Sequence, residues 1–478
     1  MNFNLGKGGD VEVLLVFKGA QSVEGANELY SYLKEKELFK GNASEVYTDI
    51  SYRGSNVILL GLGEKEKLTF EILRKSFHKL GNELMKNKVE SFGVAIPKFK
   101  EFCYRKTMMA ITEGLLQSEY SFDKYLSDKK AKSAVKEAYF DVLEEKKEKV
   151  LQAIKETEIL VEGIFLTRDL VNEPAINMYP EVLAKVAKDN LEDLGVEVKV
   201  FGRKEIKELG MEAFLAVAEG SDKEPQFIVM TYNGALDCDE RIALVGKGLT
   251  YDSGGYCIKP GESMANMHTD MAGSASVIGA IKAIAKAKLN KNAVAIIAAC
   301  ENMISGGAYK PGDIIDSMSG KTIEVGNTDA EGRVTLADAL YYAATVVKAN
   351  KIVDVATLTG ACVVALGGIN TGAITNNDDL MNEVKEAAKL AGEPVWELPN
   401  NDEYRELYKS DFADLKNTGG RMAGAITAGL FLSEFVNDTP WVHLDIAGTS
   451  HQRSENGYLP KGATGVPVKT LYYLVKEN

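Results

Sequence analysis

The sequence predicts an α/β protein built on largely parallel sheets with helices on both faces. Short β-branched runs bounded by turn residues alternate with longer helical patterns along the chain. Those runs read as buried strands, which is how parallel strands covered on both faces present themselves. At 478 residues the chain is also too long for one compact core, so two or three domains are expected.

In the first region, residues 1 to about 150, VEVLLVF (11–17), SNVILLGLG (55–63) and SFGVAIP (91–97) are expected strands, and FEILRKSFHKLGNELMK between them is an expected helix carrying His78. Gly61-Leu62-Gly63 follows a strand but lacks the third glycine of a dinucleotide fingerprint, so it reads as a strand-ending turn. From about 135 to 170 runs a charge-rich helical pattern. Val150, Ile154, Val161 and Phe165 share one face, EEKKEKV is its solvated side, and the pattern breaks at Val171-Asn172-Glu173-Pro174. This helix is read as the connector between a domain 1–150 and a domain 151–478. Beyond it, IALVG (242–246), AVAIIAAC (293–300) and VDVATLTG (353–360) are strands. AGSASVIGAIKAIAKAK (272–288) is a close-packing helix of small residues, and VTLADALYYAATVVK (334–348) is a helix starting right after Arg333.

Composition removes several functions. A net charge of −13 argues against a dedicated nucleic-acid binder. No apolar run reaches the roughly 18 residues of a membrane span, and the first residues lack a signal-peptide pattern. A cytoplasmic location is expected. Cys103, Cys238, Cys257, Cys300 and Cys362 have no metal-site spacing and several lie in apolar runs, so buried free thiols are expected. None of the four histidines forms H-E-x-x-H, and neither G-x-S-x-G nor a Walker A loop occurs.

What remains is a set of carboxylates. Asn327-Thr328-Asp329-Ala330-Glu331-Gly332-Arg333 places two acids and a guanidinium within seven residues. About 75 residues earlier stands VGKGLTYDSGG (245–255), and Lys259 and Asp270 lie between. Asp252, Asp270, Asp329 and Glu331 cannot converge in a cleft without protonation or cations, because like charges raise one another's pKa. Two hard divalent cations would resolve the repulsion and could activate a shared water. Taken singly, each acid is better explained by a surface position or a salt bridge.

These segments, with the Lys259-Pro260 pair and Asp270-Met271, resemble the leucyl aminopeptidase family, peptidase family M17. AACENM, YKPGD, DVATLTGA, GGRMAGAITAG, WVHLDIAGT and KGATG fit it as well. The resemblance is dense over residues 150–475 and weak before them. It implies a macro-like N-terminal α/β domain and a catalytic α/β domain with a central mixed sheet. It implies two divalent metals, Mn or Zn, one held by Lys247, Asp252, Asp270 and Glu331, the other by Asp252, Asp329 and Glu331. A protonated Lys247 paired with an acid is the alternative. Lys259 would stabilise the oxyanion, and Arg333 would hold a bicarbonate or, failing that, pair with an acid. Met267, Asn327, Thr357, Leu358 and Gly360 would contact substrate, though Met267 equally suits core packing. The implied activity is release of leucine and other apolar N-terminal residues from short peptides by a homohexamer. DNA binding and phosphoester hydrolysis stay open as other classes.

Overall fold

The computed structural model describes residues 1–51, 56–99, 102–129 and 135–477. The chain divides into two compact units, Met1–Val161 with Glu455–Pro460, and Glu162–Ser454 with Lys461–Asn478.

The first unit holds a six-stranded sheet of β1 (Asn2–Leu5), β2 (Val11–Val16), β3 (Val46–Asp49), β4 (Val57–Gly61), β5 (Ser91–Ala95) and β6 (Glu137–Asp141). Its order is β1-β6-β5-β2-β4-β3. Every neighbouring pair is parallel except β3–β4. All five residues of β4 are buried, as expected of a strand covered on both faces. Ser55, the first residue of the expected SNVILLGLG run, lies outside the described residues. Gly61-Leu62-Gly63 closes β4 in a turn, with Gly63 at φ 74° and its N–H donating to Gly41 O at 2.9 Å. His78 lies buried on the helix Phe70–Lys86.

The long helix expected over 135–170 needs correction at its start. Residues 137–141 form β6, and the helix spans Lys147–Asn172. Ala138 and Phe140 point inward on β6 while Glu137, Tyr139 and Asp141 are half-buried. That two-residue alternation was masked by the charged run that follows it. Val150, Ile154 and Val161 are buried on the helix as expected.

The second unit carries β7 (Glu197–Phe201), β8 (Gln226–Asn233), β9 (Ile242–Asp252), β10 (Asn292–Asn302), β11 (Ile314–Ile315), β12 (Ile323–Glu324), β13 (Lys351–Ala356), β14 (Thr371–Thr375), β15 (Val395–Glu397), β16 (Leu415–Lys416) and β17 (Trp441–Asp445). Eight of them form a sheet in the order β15-β14-β17-β13-β9-β10-β8-β7. Its middle, β17-β13-β9-β10, is parallel, and antiparallel pairs flank it at β14–β17 and β10–β8.

Helices cover this quartet. The small residues of helix Ala272–Lys286 let its backbone touch the sheet: a Cβ on Gly273 would fall onto Val355 O, and one on Gly246 of β9 would come within 2.7 Å of Ser274 Cα. Helix Glu331–Thr345 buries Val334, Leu336, Ala337 and Leu340 in a core shared with Ala243, Val245 and Ile352. It starts at Glu331, three residues earlier than expected. The cysteine expectation holds for Cys300 and Cys362, whereas Cys103 and Cys238 are exposed and Cys257 is half-buried. Among the described residues no helix is long and apolar enough to cross a membrane.

Candidate active site

The carboxyl ends of the four parallel strands converge, where open α/β sheets place their ligands. β9 ends in Asp252, β10 in Asn302 and β17 in Asp445, and β13 leads into Thr357-Leu358-Thr359. Lys247 lies five residues before the end of β9 and is buried. Its ammonium sits 2.7 Å from Asp270 Oδ2, 2.9 Å from Glu331 Oε1 and 3.0 Å from Thr357 O. Lys259 Nζ lies 2.8 Å from Asp252 Oδ2 and 2.5 Å from Asp329 Oδ1.

Two glycines make this packing possible. Gly332 sits in the first turn of its helix, where Lys247 crosses; a Cβ there would fall onto Lys247 Cε and lie 2.7 Å from its Nζ. Gly254 takes φ 86°, and a Cβ on it would come within 2.9 Å of Asp329 Oδ1.

Asp252, Asp329 and Glu331 offer carboxylate oxygens that all lie within 4.8 Å of one another. Asp270 joins this group through Lys247 rather than as a fourth close oxygen. Burial and then the Asp252 charge push Glu331 up to about 8, and burial pushes Asp270 up to about 6. Asp329 is raised by burial against the pull of Lys259. Burial alone would depress both lysines, but the surrounding carboxylates outweigh it and hold each above the ordinary lysine value. The buried Glu331 Oε2 accepts no hydrogen bond. Asp270 Oδ2 and Asp329 Oδ1 lie within ion-pair distance of the lysines but outside hydrogen-bonding geometry. Four acids face two ammonium groups, with lone pairs left over. Such a group gains by taking up further positive charge, so the residues fit divalent cations.

Arg333 is buried beside this group and donates from Nη1 to Asn417 O at 2.9 Å, while its Nε has no partner. Burial lowers its pKa to about 10. Thr357 Oγ1 donates to Asp270 Oδ1 at 2.7 Å, fixing that carboxylate from the β13 side. Leu358 N lies 3.3 Å from Asp445 Oδ1. The side chain of Asn327 turns to its own loop and accepts from Asp329 N at 2.8 Å. Met267, half-buried, opens the short helix Met267–Thr269, and Gly360 begins the helix Gly360–Leu366 exposed. Neither is tied to the acidic group by a hydrogen bond.

The structure adds residues not singled out from sequence. Asn302 donates to Asp252 Oδ1 at 2.8 Å and to Thr328 O at 3.0 Å. Thr328 Oγ1 donates to Gly254 O and accepts from Cys257 N, joining the two loops that carry Asp252 and Asp329. Asn417 accepts from Gly326 N at 2.8 Å and donates to Asn327 O at 2.7 Å. Asn302 and Asp445 stood inside recognised blocks, AACENM and WVHLDIAGT. Asn417 had no local signal.

Comparison with known proteins agrees with this architecture. Residues 165–472 match the model of the cytosol aminopeptidase family catalytic domain, and residues 13–129 match that family's N-terminal domain. A "Probable cytosol aminopeptidase" of Clostridium tetani is 67% identical over 476 residues, covering 100% of this chain and 99% of that protein. A protein of the same description from Treponema denticola is 51% identical over 480 residues, covering all of both. Among solved structures, a mutant of tomato leucine aminopeptidase superposes with a TM-score of 0.89 at 33% identity, covering 100% of this chain and 97% of that one. The bottromycin maturation enzyme BotP in complex with Mn superposes with a TM-score of 0.88 at 30% identity, covering 98% and 99%. With both of the family's domains matched along one chain, this protein belongs to the cytosol aminopeptidase family and is a peptidase.

Proposed function

We propose that this peptidase is a two-metal aminopeptidase that removes leucine and other apolar residues from the N-termini of short peptides. The observation that carries the reading is the trio Asp252, Asp329 and Glu331, the first and last buried and Asp329 half-buried, with oxygens within 4.8 Å of one another and Lys259 against two of them. Lys247, Asp252, Asp270 and Glu331 would hold one cation, and Asp252, Asp329 and Glu331 the other. Mn is the leading candidate, since a structural relative is described in complex with Mn, and Zn suits the same donors. Bound there, the pair would supply Lewis acidity and an activated water. Lys247 can donate a lone pair only as a neutral amine. The surrounding carboxylates favour its ammonium, so ligation requires the cations to take over the neutralisation that Lys247 now provides.

The chain's own groups divide the remaining work. Lys259, part-exposed beside Asp252 and Asp329, is placed to stabilise negative charge developing on the scissile carbonyl oxygen. Arg333 has a buried N–H without an acceptor, which a small oxyanion such as bicarbonate would satisfy and which would keep a proton acceptor at the site. Asp270, held by Thr357 and Lys247, supplies the negative charge that a free substrate α-amine needs. That requirement separates an aminopeptidase from an endopeptidase. Thr357, Leu358 and Gly360 would present backbone to the substrate, Asn327 would shape the loop against it, and Met267 would line the pocket for the N-terminal side chain. We place the enzyme in the cytoplasm as a homohexamer acting on short peptides.

The test is hydrolysis of leucine p-nitroanilide and its N-acetylated form by metal-stripped protein, with and without added Mn²⁺ or Zn²⁺. Metal-dependent cleavage of the free-amine substrate alone is expected. Equal cleavage of both forms, or cleavage indifferent to metal, overturns the reading.

A further inference from the structure

Beneath the site lies a buried polar group that the proposed chemistry does not use. Asp354 and His443 are register partners on the parallel strands β13 and β17, and their side chains are 0% and 1% exposed. His443 Nδ1 lies 2.6 Å from Asp354 Oδ1, and Trp441 Nε1 donates to Asp354 Oδ2 at 2.7 Å. Trp441 also stacks on the imidazole at 6.4 Å with the rings 16° apart. Both carboxylate oxygens are thus engaged, the ring is fixed in orientation, and its Nε2 is buried with no partner. A fully buried carboxylate in the middle of a sheet is costly unless a cation or donors compensate it. Here the compensating group is a histidine.

Two residues along β17 from His443 is Asp445, on the same side of the strand. Its carboxylate accepts from Thr359 Oγ1 at 2.7 Å, Ala447 N at 3.1 Å and Leu358 N at 3.3 Å. It therefore holds the turn after β13, and that turn also brings Thr357 O to Lys247 and Thr357 Oγ1 to Asp270. Along β17 the buried pair is thus followed, on the same side of the strand, by the carboxylate that holds the turn at the acidic group.

We propose that His443 is a positioning residue: fixed by Asp354 and two residues from Asp445 on the same side of β17, it keeps the Asp445 carboxylate clamped on the Thr357–Thr359 turn. The charged and titratable groups around it are Asp354 from β13, Asp445 on its own strand and Arg333 from the helix Glu331–Thr345. β14 contributes the uncharged Ile374 opposite it. Burial disfavours the imidazolium and Arg333 opposes it, yet the two carboxylates hold His443 above the ordinary histidine value. Loss of that proton at high pH would free Asp445 and loosen the turn. The inference rests on the aminopeptidase reading, because its readout is peptide cleavage.

The experiment measures kcat and KM for leucine p-nitroanilide against pH in the metal-loaded enzyme, with thermal melting to confirm folding. Wild type, Asp354→Asn and His443→Gln are compared. Asp354→Asn keeps the ring but removes the charge that favours its protonated form, so the alkaline fall in kcat should move to lower pH. His443→Gln keeps a hydrogen-bonding group without a titrating proton. It should lower kcat about tenfold to a hundredfold, the scale seen when groups that orient a site's ligands are lost, and abolish that alkaline limb. If His443→Gln does not fold, Thr359→Val, which removes the Asp445 contact together with the cap on Cys362 N, should reproduce the loss of kcat, and Thr359→Ser, which keeps both, should restore it. Folded Asp354→Asn with an unmoved limb, or Thr359→Val with wild-type kcat, overturns the proposal. A wild type without metal-dependent cleavage fails the underlying reading instead, and it does so before any variant is compared.

Discussion

The two units solve the burial of charge in opposite ways. In the first, Arg74 is buried on the helix Phe70–Lys86 and donates from Nε to Glu113 Oε2 at 2.6 Å. Gln117 Nε2 satisfies the other Glu113 oxygen at 2.8 Å, and Glu71 reaches Arg74 Nη1 at 3.3 Å. There the buried charge is matched by opposite charge and by hydrogen-bond donors. In the second unit, four acids meet two lysines at the carboxyl ends of parallel strands, and buried polar atoms on Glu331 and Arg333 go unpaired. A closed network belongs to structure. An open one, with more negative charge than its own chain neutralises, belongs to a site that completes itself with something else.

Substitutions can break that contrast. Glu331→Gln should lower kcat/KM by roughly three orders of magnitude, the scale on which loss of transition-state stabilisation registers. It should also reduce bound metal while leaving the melting temperature of metal-free protein unchanged or raised, because one of four crowded acids is gone. A clear loss of metal-free stability would put Glu331 in the same class as Glu113. Gly332→Ala removes no charge, and alanine is about 1 kcal/mol better than glycine inside a helix. Its methyl group would nevertheless displace Lys247. Activity should fall by about ten- to a hundredfold with little change in melting temperature, and wild-type activity would show that the Lys247 position does not matter.

Glu113→Gln should do the reverse, costing about 3 kcal/mol of stability by leaving a buried guanidinium with only the part-exposed Glu71 as its ionic partner. Denaturant unfolding measures that cost, and kcat/KM per folded molecule should stay the same. A pH-dependent effect sharpens the boundary between the two classes. Asp338 is buried, accepts from Phe214 N at 2.9 Å and Met318 N at 2.8 Å, and is pushed up to about 7 by burial. A carboxyl whose folded pKa is raised contributes stability that is fully present below its unfolded pKa of about 4 and is lost as pH rises through the folded value. Stability should therefore fall across pH 4 to 7 on account of this group. Asp338→Asn should flatten that part of a melting-temperature profile, and an unchanged slope would show that Asp338 does not titrate there.

Three strands of the parallel quartet, β9, β10 and β13, and the acids that follow them were legible because buried strands and turn glycines leave local marks, whereas β17 was not read as a strand. IALVG and AVAIIAAC are apolar throughout, and acids follow them at fixed places. Strand β6 was not legible, since its five residues carry two acids and adjoin a charged helix, so a short alternation competed with a long helical period. Asn417 was hidden for a different reason. It lies 84 residues from Arg333, whose guanidinium it receives through its backbone oxygen, and any residue offers a carbonyl. Asp354 gave no signal within VDVATLTG, because its partner lies on another strand, 89 residues away. Chemistry carried by side-chain type shows in sequence, whereas chemistry carried by backbone or by distant pairing shows only in the fold.

Residues from Lys247 to Asp445 meet at one sheet end, delivered by its parallel strands and by segments between them. The consequence concerns biosynthesis. β17 lies between β13 and β14 in the sheet yet is the last of its strands to be made, so a growing chain carries Lys247, Asp252, Asp270 and Glu331 long before Asp445 can hold the Thr357–Thr359 turn. A chain that stops before β17 is therefore expected to lack the group that holds the Thr357–Thr359 turn, and a truncated chain assayed for cleavage would check it.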